Sequence, residues 1–254
     1  MTPREALEIA RKVGEFVRKG VSGMVGTADA NEVVGIGSDG TPTKKIDLIA
    51  ERIALDILKE YDVKVITEES GVEGEGETVV SLDPIDGTFN AVNSIPIYSI
   101  SLCFSRSLRF GDTFLGYVMN LATCDVYYSL NGKSYKNDSR IRVSNRKSLK
   151  DSNVLFYYPK KSYPFKRIRI LGCASLEICY VAEGVFDGFV DVRDGGYLRP
   201  FDVCASLFIC KNAGAKISDH RGRGLEEKML TMDERFTLVV SNPYIHDDIL
   251  SVIS

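Results

Sequence analysis

The sequence predicts an α+β first half followed by an α/β second half, a division that rests on three observations. Between residues 78 and 130, β-rich runs follow one another with only short turns between them, the signature of an antiparallel meander. After Asn145, strand-like and helix-like segments alternate, as they do in α/β structures. Between the two lies a polar stretch, NGKSYKNDSRIRVSNRKSLKD, with no apolar periodicity. The expected units are therefore 1–140 and 141–254.

Thr2-Pro3 reads as an N-cap with proline at the first helical position. Leu7, Ile9, Ala10, Val13, Phe16 and Val17 then form an apolar face at helical spacing, and Gly20 supplies a stop. The following segment, VSGMVGTADANEVVGIGSDGTPT, is rich in glycine and short polar residues and reads as irregular. A second helix is expected from about Asp47 to Tyr61, with Leu48, Ile49, Ile53, Leu55, Ile57 and Leu58 on its apolar side. VKVIT (63–67) is a strand running into Glu68-Glu69-Ser70, GVEGEGE is a turn or loop, and TVVSLD (78–83) is a strand. YSISLCFS, DTFLGYVMN and CDVYYSL complete the first half, and the Asn-Gly at 131–132 is hairpin chemistry. In the second half VLFYY, RIRIL, DGFVDVR, AKIS and FTLVVSN read as strands. ASLEICYVAEG, RPFDVCASLFICKNAG and HDDILSVIS read as helices.

The chain has 254 residues, 44% hydrophobic and 26% charged, which is ample material for a sizeable core. A formal charge of −3 argues against a nucleic-acid or anionic-membrane partner, and the basic KKSYPFKRIR does not reverse that balance. No apolar run approaches the ~18 residues that cross a bilayer, and no secretory leader is visible, so a cytoplasmic location is expected. Cys103, Cys124, Cys173, Cys179, Cys204 and Cys210 form no CxxC pair and read as free, mostly buried thiols. Pairing of Cys173 with Cys179, or of Cys204 with Cys210, stays open. His220 and His246 lie in polar stretches and read as surface residues.

The chemistry concentrates in SLDPIDGTFN (81–90). Pro84 cannot continue a hydrogen-bond ladder and stiffens the turn. Gly87 allows a backbone shape that a side chain forbids. N–H groups near Gly87 and Thr88, at the start of a helix, make an anion-binding corner. Two carboxylates beside an anion site repel a phosphate unless cations lie between them, and hard oxygen ligands favour Mg2+ or Mn2+. The plainer explanation is turn chemistry, since Asp-Pro and Asp-Gly pairs are common in turns. Acids at other element ends strengthen the metal reading: Glu68 and Glu69 close the preceding strand, and Asp202 stands at a helix entrance. For Asp202 the pattern alone favours N-capping.

TEES (67–70), DPIDGTFN (83–90) and FDVCAS (201–206) resemble the three metal-site motifs of the inositol monophosphatase family, the lithium-sensitive phosphatases that include fructose-1,6-bisphosphatases. DPIDGT is the most specific of them. DGTPTK, YPFKRIRILG and NLATCDVYY are most similar to the archaeal enzymes that act as both fructose-1,6-bisphosphatase and inositol monophosphatase. The resemblance implies a layered αβαβα sandwich, a homodimer, and a site between the two halves that holds two to three Mg2+ ions. Glu68, Asp83 and the carbonyl of Ile85 match the ligands of the first ion. Asp83, Asp86 and Asp202 match those of the second, and Glu68 also reaches a third through water. Thr88 and Asp39 match the polar pair that activates the attacking water. Gly87 and Thr88 match the backbone donors to phosphate. Asp86, Ala174 with Ser175 and Asp202 fall at substrate positions of the family, and Arg169 lies in a segment that resembles its polyol-contacting strand. Arg167, Arg169 and Arg193 are candidates to contact hydroxyls or a second phosphate because a guanidinium matches phosphate in a bidentate way, the plainer reading of each being a solvated strand-end charge. The third motif departs from the usual WDxAAG, with Phe201 for tryptophan and Ser206 for glycine.

The expected activity is hydrolysis of a small phosphorylated sugar or polyol, fructose 1,6-bisphosphate or inositol 1-phosphate, by metal-activated water. An aspartyl phosphate on Asp83 or Asp86 is the competing mechanism. A 3′-phosphoadenosine 5′-phosphate phosphatase and a non-catalytic binding protein of the same fold are the alternative functions. In the glycine-rich GIGSDGTPTKK the choice is between a surface loop and a lid that brings Asp39 and Lys44 to the metals.

Overall fold

The computed structural model describes residues 1–38 and 40–253. Five layers stack in the order helices, sheet, helices, sheet, helix. The outer pair is α1 (Pro3–Val21) and α2 (Lys45–Leu58). Beneath it lies an eight-stranded sheet, β10-β9-β8-β7-β6-β5-β3-β4, formed from β3 (Val63–Thr67), β4 (Gly71–Glu73), β5 (Thr78–Asp86), β6 (Ser99–Ser105), β7 (Thr113–Asn120), β8 (Val126–Leu130), β9 (Lys133–Lys136) and β10 (Ser139–Arg140). All its pairings are antiparallel except β3 with β5. The middle layer is α4 (Ala174–Ala182) with α5 (Pro200–Asn212). A mixed five-stranded sheet follows, β12-β11-β13-β15-β14, from β11 (Asn153–Phe156), β12 (Arg167–Arg169), β13 (Gly188–Asp191), β14 (Lys216–Ser218) and β15 (Leu238–Ser241). α6 (His246–Ile253) covers its outer face.

The period-two geometry of strands dictates this layering. On β5 to β7, Val80, Leu82, Leu102, Phe104, Tyr117 and Met119 point to the α1/α2 side. Their neighbours Val79, Cys103 and Val118 point to the α4/α5 side. Leu155, Phe189 and Val240 of the second sheet meet α4 and α5, whereas Val154, Phe156, Val190 and Val239 pack under α6. Strands buried on both faces read as near-continuous apolar runs, as β15 does, whereas in β6 the buried serines Ser99, Ser101 and Ser105 alternate with Ile100, Leu102 and Phe104. Close approach is set at Gly116 of β7, where an added Cβ would lie 2.3 Å from the carbonyl oxygen of Ala205 on α5.

Several expectations need correction. α1 runs past Gly20 to Val21, because Val21 is buried against the core, while Phe16 is exposed. The segment expected to be irregular contains an antiparallel hairpin, β1 (Val33–Ile36) with β2 (Pro42–Lys44), built on β-branched residues. Gly71–Glu73 is an edge strand rather than a turn. β5 continues through Pro84 to Asp86, its register broken between Asp83 and Asp86, a bulge that accommodates a residue with no N–H. His246 is fully buried, hydrogen-bonded to Ser218 Oγ at 2.8 Å and Ser241 Oγ at 3.1 Å. His220 is half-buried. All six cysteines are free, and only Cys124 is exposed. Asn131 and Gly132 both take positive φ, as the hairpin requires. No described helix is long and apolar enough to cross a membrane.

Candidate active site

The bulge in β5 shapes the acidic corner. Asp83 Oδ1 accepts the N–H of Ile85 at 3.0 Å, and the carbonyl of Ile85 accepts the hydroxyl of Thr88 at 3.1 Å. Gly87 then turns the chain with φ 89° and ψ 38°, a left-handed conformation that favours glycine. A Cβ there would stand 3.1 Å from the carbonyls of Ile97 and Gly172 and from Cys173 Cβ, so the corner presses directly on the second half. Asn90, on the short helix α3 (Thr88–Val92), rivets the same junction by donating to the carbonyls of Ile97 and Leu171.

Buried Glu51 of α2 holds the neighbouring turn. It accepts from Thr67 Oγ1 at 2.7 Å, Ser70 Oγ at 2.6 Å and the Ser70 N–H at 3.1 Å. That leaves half-buried Glu68 at the cleft. The β1–β2 hairpin docks on this turn through Ser38 N–H to the Glu69 carbonyl and through Thr43 Oγ1 to the Glu69 carboxylate. Asp39 lies outside the described residues. The hydroxyl of Thr88 donates to Asp47 Oδ1 at 2.9 Å. Burial pushes Asp47 up to about 7 against the opposing effect of the Thr88 bond.

Asp86 is held from the second half. Its Oδ2 accepts the N–H of Ser175 at 2.6 Å, the Ser175 hydroxyl at 2.5 Å and the Cys173 thiol at 3.2 Å. Even so, burial raises its pKa. Asp202 sits at the third position of α5, not at the cap. The N-cap is Arg199, whose N–H donates to Asp202 Oδ2 at 2.6 Å. Asp83 is 2% exposed. Burial raises it well above the usual carboxylate range, and the charges of Glu68, Asp86, Asp202 and Asp47 add to the effect. Five acids from both halves therefore share one field.

Among the described residues, neither Asp83 nor Asp86 has a lysine or arginine partner. No three described acid, histidine or cysteine side chains close around a common point. Asp83, Asp86 and Asp202 each spend an oxygen on a bond to the protein. The donor set itself fits a hard divalent cation: carboxylate oxygens whose charges bear on one another around buried Asp83.

Glu68, Asp86 and Asp202 border a cleft of about 540 Å³ that Ala174, Tyr157 and Arg193 also line. Arg193 donates through Nε to Asp191 Oδ1 at 2.9 Å and packs against the rings of Tyr197, Tyr158 and Tyr157. Arg167 and Arg169 are not brought to the cleft. Both are exposed on the edge strand β12, where Arg167 donates to Asn153 and Arg169 to the Ile168 carbonyl. Arg199, Tyr197 and Arg235 line the cleft unanticipated. No motif marks them, and Asp47, in the first turn of α2, was likewise missed.

Residues 3–253 match the inositol monophosphatase family, and the chain belongs to it. It is 47% identical over its full length to the fructose-1,6-bisphosphatase/inositol-1-monophosphatase of Archaeoglobus fulgidus, with the whole of both chains covered. It is 34% identical to the bifunctional NADP phosphatase/NAD kinase of Methanocaldococcus jannaschii, of which it spans 51% while 99% of this chain is covered. The crystal structure of the MJ0109 gene product, an inositol monophosphatase-fructose 1,6 bisphosphatase, superposes with a TM-score of 0.86 at 32% identity over 97% of each chain. A Pyrococcus horikoshii protein with similarities to inositol-1 monophosphatase superposes with a TM-score of 0.88 at 27% identity over both chains entire. The layered αβαβα fold is thus that of the family, and the protein is a phosphoric monoester hydrolase. Metal dependence is typical of this family.

Proposed function

We propose that this phosphatase hydrolyses fructose 1,6-bisphosphate and inositol 1-phosphate with Mg2+ held by Glu68, Asp83, Asp86, Asp202 and the carbonyl of Ile85. The observation that carries the reading is that Glu68, Asp86 and Asp202, far apart in sequence, border one cleft and bear electrostatically on buried Asp83. In this reading residues 1–140 carry the main metal site, and 141–254 supply Asp202 and the substrate contacts. Divalent metal, when bound, lowers the pKa of water and neutralises phosphate and leaving-group charge.

The chain's own residues position and move the proton. Thr88 Oγ1 lies within hydrogen-bond distance of Asp47 Oδ1 and the Ile85 carbonyl, so with its own proton directed at Asp47 its oxygen can accept from an incoming water. Asp47, held near 7, is suited to receive that proton at neutral pH. The N–H groups of Gly87 and Thr88, at the start of α3, would donate to a phosphoryl oxygen. Ala174 and Gly172 form the wall for a polyol ring, and Arg193 offers a cation on the far side. Asp83 is buried beneath the cleft and hydrogen-bonded to its own strand, which disfavours a carboxylate nucleophile. The test is kcat/KM for fructose 1,6-bisphosphate, inositol 1-phosphate and an adenosine bisphosphate at fixed Mg2+. Clear preference for the first two supports the proposal. Turnover of the nucleotide alone replaces it, and no turnover of any ester points to a binding protein.

A nucleotide-directed reading has one structural observation in its favour. Tyr158 and Tyr197 are 66% and 67% exposed beside Arg193 at the cleft, and such rings can stack on a base.

A further inference from the structure

The cleft does not end at Arg193. Beyond the loop from Arg193 to Tyr197 lies a second pocket of about 430 Å³, which shares Arg193, Gly196 and Arg235 with the cleft as a common wall. Its far side is the turn after β14. Arg193, Arg221, Arg223, Lys228 and Arg235 line it, against two carboxylates, Asp194 and Asp219. That is a local surplus of positive charge in a chain whose formal charge is −3.

Three of these cations are engaged: Arg193 with Asp191, Arg223 with Asp219 and Lys228 with Glu234. Among the described residues Arg221 and Arg235 have no carboxylate partner, yet both are held in place. Arg235 Nη1 donates to the carbonyls of Met232 at 2.7 Å and Glu234 at 2.9 Å. Arg221 Nε donates to His220 Nε2 at 3.2 Å. An arginine can only donate, so Nε2 is the accepting nitrogen and the proton of a neutral ring sits on Nδ1. That Nδ1 then donates to Thr237 Oγ1 at 2.7 Å. The relay Thr237–His220–Arg221 orients the guanidinium through Nε and leaves its two terminal nitrogens for a ligand. Such a fork matches two oxygens of one phosphoryl group.

We propose that this pocket is a second phosphoryl subsite, contiguous with the cleft, for the non-reacting phosphoryl group of a substrate that carries more than one. The inference rests on the phosphatase reading above and adds Arg221, Arg223 and Arg235 to its substrate contacts. Sugar bisphosphates and dinucleotides with a diphosphate bridge share this chemistry.

The experiment compares Arg221→Ala and Arg221→Lys with the wild type on fructose 1,6-bisphosphate, NADP and inositol 1-phosphate, each as kcat/KM at fixed Mg2+ and ionic strength. Arg221→Ala lowers the ratio of the bisphosphate, or of NADP, to inositol 1-phosphate about tenfold. Arg221→Lys, which keeps the charge and loses the fork, lowers it less. A fall for the bisphosphate alone assigns the pocket to sugar phosphates, and a fall for NADP alone assigns it to dinucleotides. Unchanged ratios for both overturn the subsite. If the wild type hydrolyses none of the three, the phosphatase reading fails first. Calorimetric binding of fructose 1,6-bisphosphate then decides the pocket: tenfold weaker binding by Arg221→Ala supports it, and an equal Kd overturns it.

Discussion

Replacing Asp83 by asparagine should abolish turnover and, without metal, make the protein more stable. Asp83 is 2% exposed, has no basic partner among the described residues, and feels the charges of four other acids. Its folded pKa is raised, so the folded state holds its proton at pH values where the unfolded chain has released it. Ionising Asp83 therefore costs stability as pH rises from the ordinary carboxylate value through the folded one. Within that window the slope is up to ~1.4 kcal/mol per pH unit for one group. For a domain of this size, that is about 3–5 °C of Tm per pH unit. Asparagine keeps the oxygen that accepts the Ile85 N–H and removes the charge. Thermal unfolding in EDTA across pH 4.5 to 7 should show a flatter fall for Asp83→Asn than for the wild type, and a higher Tm at pH 7. Added Mg2+ should raise the wild-type Tm, by linkage to the folded state, and leave the variant nearly unmoved. Equal slopes in EDTA, or a variant that gains as much from Mg2+ as the wild type, would refute the argument that Asp83 is a buried charge waiting for a cation.

Asp47→Asn preserves an acceptor for Thr88 but not a base, so kcat should fall about 10²-fold or more with the fold intact by circular dichroism. Ser175→Ala removes one of the bonds that fix Asp86 Oδ2 and should raise the Mg2+ concentration for half-maximal rate about tenfold, with Ser175→Thr restoring part of the loss. Arg193→Ala should lower kcat/KM for fructose 1,6-bisphosphate more than for inositol 1-phosphate, and equal losses would remove it from substrate choice. His246 is depressed to about 4 by burial, so its contribution is intact above pH 6.5 and is lost as pH falls toward 4. Urea unfolding at pH 7 and 4.5 should lose about 2.5 kcal/mol less in His246→Gln than in the wild type.

What could be read from the sequence follows how local each signal is. β6, β7, α4 and α5 announce themselves because an apolar run and its turns lie within one segment. The Asp83–Asp86 corner is equally local: proline, glycine and two acids within five residues fix the bulge and the turn after it. Asp202 is different. Its pattern is that of a helix start, and it does bond to the N-cap backbone, so only resemblance marked it as a ligand. Asp47 was passed over for a related reason. An acid in the first turn of a helix is ordinary complement to the helix dipole, and nothing near it in sequence reveals that Thr88 packs against it. The β1–β2 hairpin was hidden by glycines that read as looseness but serve a turn docked on Glu69. His246 looked exposed because two aspartates follow it, yet the ring faces Ser218 and Ser241 across the sheet edge.

The position of the site between the halves has an energetic consequence. A cluster of carboxylates could not be buried within one self-contained core, because each would need a basic partner or a pKa shift large enough to keep it neutral. Here the cost is divided. The first half supplies Asp83, Glu68 and Asp47, while the second supplies the Ser175 and Cys173 donors that hold Asp86. Asp86 is therefore aimed by residues that arrive only when the α4/α5 layer has docked. The same contact at Gly87 admits no side chain, so this junction is tight at the point where the acids meet. An ordered set of acids around buried Asp83 follows from docking, and their mutual repulsion is what a divalent ion would relieve.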